Sequence, residues 1–221
     1  MSLNPVFTLQ SSSLSWHKQP VLNVLDLHIH AGEKVAILGK SGAGKTILLH
    51  SLHQQAPEST ALCGQALGLV SSLSVFHNIY MGQLDKHHFL YNLANLIHPF
   101  KQQIKTIKPL AENLGLSDCL FKDAASLSGG QQQRVALGRA LFQNKMVFLG
   151  DEPVSAVDEI QSETLLEFIM SAHQTVILAL HSIDLALRFC DRIIGLKNGE
   201  IELDCPTRET SAEQLRALYL D

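Results

Sequence analysis

The 221-residue chain has no long hydrophobic run; its longest unbroken apolar stretch is Val176 to Leu180, five residues. A bilayer span needs about 20 apolar residues, so no segment is expected to cross a membrane. No Lys or Arg precedes Lys18 and no apolar core follows the first Met, so no secretory signal is expected either. The four cysteines, Cys63, Cys119, Cys190 and Cys205, form no C-x-x-C pair, and buried free thiols are expected in place of disulfides or zinc. Charged residues make up only 17% and aromatic ones 6%, but apolar residues reach 46%, which excludes a disordered chain. A basic stripe is also missing. The net charge of −4 divides into +4 over residues 1–110 and −8 over 111–221, so nucleic acid is not an expected partner.

What is present is an alternation of short strands and helices. Val6 to Gln10 is a strand candidate, and Val24 to His30 alternates like a half-buried strand. Lys34 to Leu38 is short, β-rich and apolar, as a buried parallel strand should be. Lys45 to His53 has helical spacing, and Ala66 to Val70 reads as the next strand. Residues 73–120 carry helical periodicity, with Pro99 and Pro109 expected at helix starts or breaks. Strands return at Met146–Leu149, Thr175–Leu180, Arg192–Leu196 and Ile201–Asp204. Such alternation predicts a parallel sheet wrapped by helices, with the block at 73–120 inserted into it.

Gly39 to Thr46 reads GKSGAGKT, a full match to G-x-x-x-x-G-K-[ST], between a buried strand and a helix. Glycines let successive backbone N–H groups turn inward as an anion nest, and the following helix adds its dipole at the same point. Gly39, Lys40, Ser41, Gly42, Ala43, Gly44, Lys45, Thr46 and Ile47 are therefore the candidate phosphate cradle. Lys45 is expected to reach the β- and γ-phosphates, and the Thr46 hydroxyl to ligate Mg²⁺. The strand Val147 to Gly150 ends in Asp151 and Glu152. Ligands of parallel sheets bind beyond the carboxyl ends of strands, so Asp151 is expected at the metal, with Glu152 orienting or deprotonating a water. An acidic helix cap is the plainer alternative for this pair.

Leu127 to Arg134 reads LSGGQQQR. Here the chain resembles the ATP-binding cassette (ABC) ATPases, whose signature is LSGGQ. The resemblance spans essentially the whole chain. It implies a P-loop NTPase α/β fold with a RecA-like parallel sheet core, an N-terminal antiparallel β subdomain and a helical subdomain over about 73–133, all one domain, 1–221. It also implies an ATPase that binds ATP and Mg²⁺. Two cassettes would pair head to tail as a homodimer, so that Ser128, Gly129, Gly130 and Gln131 of one close on the ATP held by the other. His181 matches the family's switch histidine, and Ser155-Ala156-Val157-Asp158 resembles the D-loop. Trp16 stands where the family has an aromatic stacked on adenine; packing is an equally plain reading of a lone Trp.

Two departures stand out. The family ends the strand after the phosphate-loop helix with a glutamine that touches Mg²⁺ and the membrane partner. With the strand at Ala66–Val70, no glutamine follows, Gln65 lies on the wrong side, and Ser71 or Ser72 would have to substitute. Ile47 stands where many relatives have Ser or Thr. The segments Leu73–Gly82, Asp151–Asp158, Leu180–Cys190 and Glu213–Tyr219 resemble the ATPases of phosphonate importers. The implied role is powering uptake of a small solute, phosphonate or a related oxyanion, through a separate membrane permease, from the cytoplasmic face of the cell membrane. A soluble ABC ATPase without a transporter is an alternative, and so is a weakly hydrolysing nucleotide-binding subunit. His28 with His30, and His50 with His53, share faces but are expected to be solvated surface, not metal ligands.

Overall fold

The computed structural model describes residues 5–16 and 19–220, with backbone only for residues 11, 12, 16, 19, 20, 24 and 25. It divides into two compact units, Met1–Gln65 with Lys145–Glu152 and Ile169–Asp221, and Ala66–Asn144 with Pro153–Phe168.

The first unit is built on one eight-stranded sheet. Its strands are β1 (Pro5–Trp16), β2 (Gln19–His30), β3 (Lys34–Leu38), β4 (Thr60–Cys63), β5 (Val147–Asp151), β6 (Thr175–Ala179), β7 (Arg192–Lys197) and β8 (Glu200–Pro206). Their spatial order is β1-β2-β8-β7-β3-β6-β5-β4. Strands β7, β3, β6, β5 and β4 run parallel, and β3, β5 and β6 are almost wholly buried, which accounts for their continuous Val, Ile, Leu and Ala composition. The β1–β2 and β7–β8 pairs are antiparallel. The expected fold class, a parallel core with an antiparallel N-terminal part, is therefore the one observed. Helix α1 (Lys45–Gln55) packs Leu48, Leu49 and Leu52 into a core with Val35, Ile37, Leu149 and Ile177. Arg192 ties the N-terminal end of the sheet. Its guanidinium meets Asp204 through two 2.7 Å bonds and Glu33 at 3.0 Å.

The second unit is helical: α2 (Val75–Tyr80), α3 (Phe89–Ile97), α4 (Lys101–Asn113) and α5 (Gly129–Phe142). Three further helices are α6 (Glu159–Ala172), α7 (Ile183–Phe189) and α8 (Ala212–Arg216). Gly138 of α5 lies where an added Cβ would sit 2.8 Å from a Leu114 methyl and 3.2 Å from an Ile79 methyl, so α5 packs closely on its neighbours.

Two expectations fail. Pro109 lies inside α4, neither starting nor breaking it. Both Pro109 and Lys105 are exposed, so the carbonyl robbed of its helical partner faces water. The segment Ala66–Val70 is no strand; the fourth strand is β4, six residues earlier. Side chains satisfy part of the backbone of residues 67–70 instead. Arg139 donates to the Leu67 and Gly68 carbonyls, and the Asn78 amide both accepts from Val70 N–H and donates to Val70 C=O. A sheet edge has nothing left to offer those groups.

Candidate functional site

The phosphate loop leaves β3 at Leu38. Gly39 has φ +151°, and a Cβ there would fall 2.4 Å from the Leu196 carbonyl oxygen, so only glycine fits. Gly44, with φ +105°, opens α1 with no side-chain cap and no acidic residue in the first turn. The first helical bond runs from Leu48 N–H to Gly44 C=O, so the amides of Lys45, Thr46 and Ile47 have no partner in the helix. An uncapped start of this kind is what an anion requires. Lys40, Ser41, Gly42 and Ala43 wall a cavity of about 430 Å³ together with Val21 and Leu196.

Lys45 is buried, and its ammonium donates to Gly39 C=O at 2.7 Å and Lys40 C=O at 3.1 Å. Burial lowers its pKa from the usual value, and the charges of Glu152 and Asp151 partly restore it. The Thr46 hydroxyl donates to Asp151 Oδ2 at 2.7 Å. Asp151, last residue of β5, is only 4% exposed. Glu152 follows with φ +54°, a left-handed conformation rare outside glycine. Its N–H donates to Ala179 C=O at 3.1 Å, and its Oε1 lies 2.5 Å from His181 Nε2. The His181 side chain is half exposed, so the pair faces open space. Lys45, Thr46, Asp151, Glu152 and His181 thus converge at the carboxyl end of the parallel strands. The hydroxyl of Thr46 and the buried carboxylate of Asp151 are the hard oxygen donors that suit Mg²⁺, which commonly takes one or two protein ligands alongside phosphate and water.

The second unit holds Ser128, Gly129, Gly130 and Gln131. Ser128 caps α5, accepting from Gln131 N–H at 3.3 Å, while the Gln131 side chain accepts from Ser128 N–H at 3.0 Å. A Cβ on Gly129 would meet nothing within 4 Å; one on Gly130 would fall 2.7 Å from the Ala156 carbonyl oxygen. Buried Gln133 bridges to the 155–158 loop, donating to Ser155 Oγ at 3.1 Å and accepting from Ala156 N–H at 2.8 Å. Asp158 caps α6 through Gln161 N–H. Trp16 ends β1, and its side chain lies outside the described residues.

Sequence reasoning missed two residues. One is Gln133, hidden in a run of three glutamines; only its burial singles it out. The other is Gln65. β4 pairs in parallel with β5 at Cys63 and Gly150, so Gln65, two residues on, emerges at the same sheet end as Asp151 and Glu152. Ser71 and Ser72 instead form an exposed turn in the second unit, where Ala125 N–H donates to Ser71 C=O. Gln65 therefore follows the fourth strand of the sheet, whereas no glutamine follows Ala66–Val70. His28 bonds Thr8 and His53 bonds Thr60, and no cluster of three metal-ligating side chains occurs among the described residues.

A parallel sheet carrying this loop, lysine and carboxylate pair defines a nucleoside triphosphatase of the P-loop kind. A profile described as ABC transporter matches residues 22–155, more than half the chain. Phosphonates import ATP-binding protein PhnC of Pseudomonas entomophila (strain L48) is 36% identical, over 96% of this chain and 90% of that protein. The protein of the same name from Rhizobium johnstonii is 32% identical, over 97% and 86%. The fold matches a dimeric bacterial ABC transporter cassette with a TM-score of 0.79 and 24% identity, covering 91% of this chain and 98% of that one. A post-hydrolysis cassette dimer bound to ADP and Pi matches at 0.72 with 25% identity, over 91% and 98%. The chain belongs to the ABC transporter family and is an ATP-binding ATPase cassette.

Proposed function

We propose that the chain powers a membrane importer for phosphonate or a related oxyanion, acting as one cassette that pairs with a second copy and docks on a separate permease. The observation that carries the catalytic part is the convergence of Lys45, the Thr46–Asp151 pair and the Glu152–His181 pair at one sheet end. In the proposed roles, the uncapped amides of α1 and Lys45 bind the β- and γ-phosphates. Thr46 and Asp151 hold Mg²⁺, which neutralises charge on the phosphate oxygens when bound. Gln65 takes the glutamine's place at that metal. Glu152 accepts the proton of the water that attacks the γ-phosphorus, and His181 turns from Glu152 to the phosphate. Trp16 stacks on adenine, and Ser128, Gly129, Gly130 and Gln131 close on the partner's nucleotide.

The permease reading is supported by α3, where Phe89, Leu90 and Ile97 are 71%, 67% and 78% exposed. Beside them lies an apolar groove of about 330 Å³ lined by Leu73, Tyr80, Met81, Leu84 and Leu93. Exposed apolar area of this extent marks an interaction surface. No helix among the described residues is long and apolar enough to cross a membrane. The relatives named above supply the substrate class.

Steady-state hydrolysis tests the assignment. Lys45→Ala should lose nucleotide binding and turnover together. Glu152→Gln should keep binding, accumulate as an ATP-bound dimer, and lose roughly 10²-fold or more in turnover, the usual contribution of a positioned general base. Normal turnover by Glu152→Gln would falsify the role of the base. Co-purification with ribosomes or DNA, and not with a membrane protein, would favour a non-transport ATPase.

A further inference from the structure

We propose that Gln133 is a positioning residue for ATP hydrolysis: its buried amide anchors the turn by which the chain leaves Glu152, and so keeps the base in its working conformation. The inference rests on the site reading above and adds a residue to it. Among the residues that α5 buries, Gln133 alone has a polar side chain. An amide taken out of water is unfavourable unless it is hydrogen-bonded. Both ends of this one reach a single loop. Nε2 donates to Ser155 Oγ at 3.1 Å, and Oε1 accepts from Ala156 N–H at 2.8 Å. Ser155 and Ala156 are themselves exposed. A glutamine only 8% exposed thus holds a surface turn, which burial of α5 by itself would not require.

Glu152 needs such an anchor. Its φ of +54° is a left-handed conformation that persists only where the chain on both sides over-determines it. Upstream, Asp151 pairs with Ala179, whose carbonyl also accepts from Glu152 N–H. Downstream, the chain turns over residues 153–156. Val154 C=O accepts from Ser162 Oγ at 3.2 Å, and Gln133 takes the next two residues. The start of α5 leaves this turn no slack, since a Cβ on Gly130 would also fall 3.7 Å from Val157 Cγ1. Arg134, next to Gln133, donates to Gln161 Oε1 at 2.6 Å, so the same stretch of α5 is fastened to α6. Without the Gln133 bonds the downstream anchor is gone. Glu152 is then free to relax toward an ordinary φ, which swings its carboxylate off the attacking water.

Gln133→Leu keeps most of the bulk and removes both bonds. For the full-length chain with Mg-ATP, the expected result is a roughly 10- to 100-fold loss of kcat, the order set by a misplaced reacting group. KM should stay within about twofold, because the loss falls on the transition state. Gln133→Glu keeps an acceptor for Ala156 N–H and lets the Ser155 hydroxyl donate, so kcat should return to within about threefold of wild type. Glu152→Gln carrying Gln133→Leu should still bind one ATP per chain and form the dimer, which separates misaligned chains from unfolded ones. Ser155→Ala, at an exposed residue, repeats the test should Gln133→Leu not fold; its kcat should fall about 3- to 10-fold, the order of one lost hydrogen bond. Wild-type kcat in Gln133→Leu, or in Ser155→Ala where that variant carries the test, would overturn the proposal. So would equal losses in the Leu and Glu variants, a raised KM, or a fall in bound ATP that matches the fall in kcat. A wild-type chain whose hydrolysis is insensitive to Lys45→Ala would instead overturn the site itself.

Discussion

At the scale of single residues, the site depends on groups held in costly states. Lys45 is a buried cation that gives up its proton more readily than a free lysine, whose pKa is 10.5. As pH rises toward that value the empty site loses the ammonium first, and a bound phosphate draws the proton back. ATP binding as pH approaches 10.5 should therefore be accompanied by proton uptake, read as a binding enthalpy that varies with the buffer's ionisation heat; buffer-independent enthalpy would contradict this. Gln65 and Ser71 offer a direct contrast. Gln65→Ala should reduce Mg-dependent turnover by about tenfold, the effect of losing roughly 1.4 kcal/mol at the transition state, while Ser71→Ala should leave it unchanged; the reverse order would restore Ser71 as the substitute. Cys190 is fully enclosed, and burial pushes its thiol up to about 12. At pH 8 that leaves about one thiolate in 10⁴, so native protein should resist alkylation at this position until it unfolds.

At the scale of elements, α5 is closely constrained. Gly138 has no space for a methyl group against Leu114 and Ile79. Gly138→Ala gains about 1 kcal/mol of helix propensity but overfills the packing at about 1–3 kcal/mol, so a net fall in melting temperature is expected in thermal denaturation. Gln133→Ala removes both bonds to the 155–158 loop and leaves Ala156 N–H unpaired, a loss of about 1–3 kcal/mol that chemical denaturation should register. These elements also show what was legible beforehand. Lys34–Leu38 and the phosphate loop were readable because a buried parallel strand and a φ-positive glycine turn are local properties. The fourth strand was not. Thr60–Cys63 is only four residues long, and Ala66–Val70 looks as apolar; the choice between them is made by Arg139 and Asn78, remote in sequence and invisible to periodicity. That one displacement hid Gln65. Pro109 misled for a similar reason, since its tolerance depends on which side of α4 meets water.

At the scale of the whole molecule, three histidines set the response to acid. His53, His77 and His173 all have pKa values lowered from 6.5, in each case chiefly by burial. The unfolded chain therefore binds protons that the folded one refuses, and stability rises with pH between the folded values and 6.5. As far as these histidines set it, the melting temperature should level off near pH 7 and fall as pH drops below 6.5. His173→Gln should flatten that fall, and an unchanged slope would remove His173 from the account. The bare start of α1 has a wider bearing. A helix that leaves its leading amides without a cap is completed only by an outside anion, so any oxyanion in the solution competes to complete it. Phosphate or sulfate buffer would raise the baseline melting point and mask part of the nucleotide's own effect. In a buffer free of such ions the same addition of ATP should yield a visibly larger shift, and the protein's thermal record would then double as a readout of how well that corner is filled.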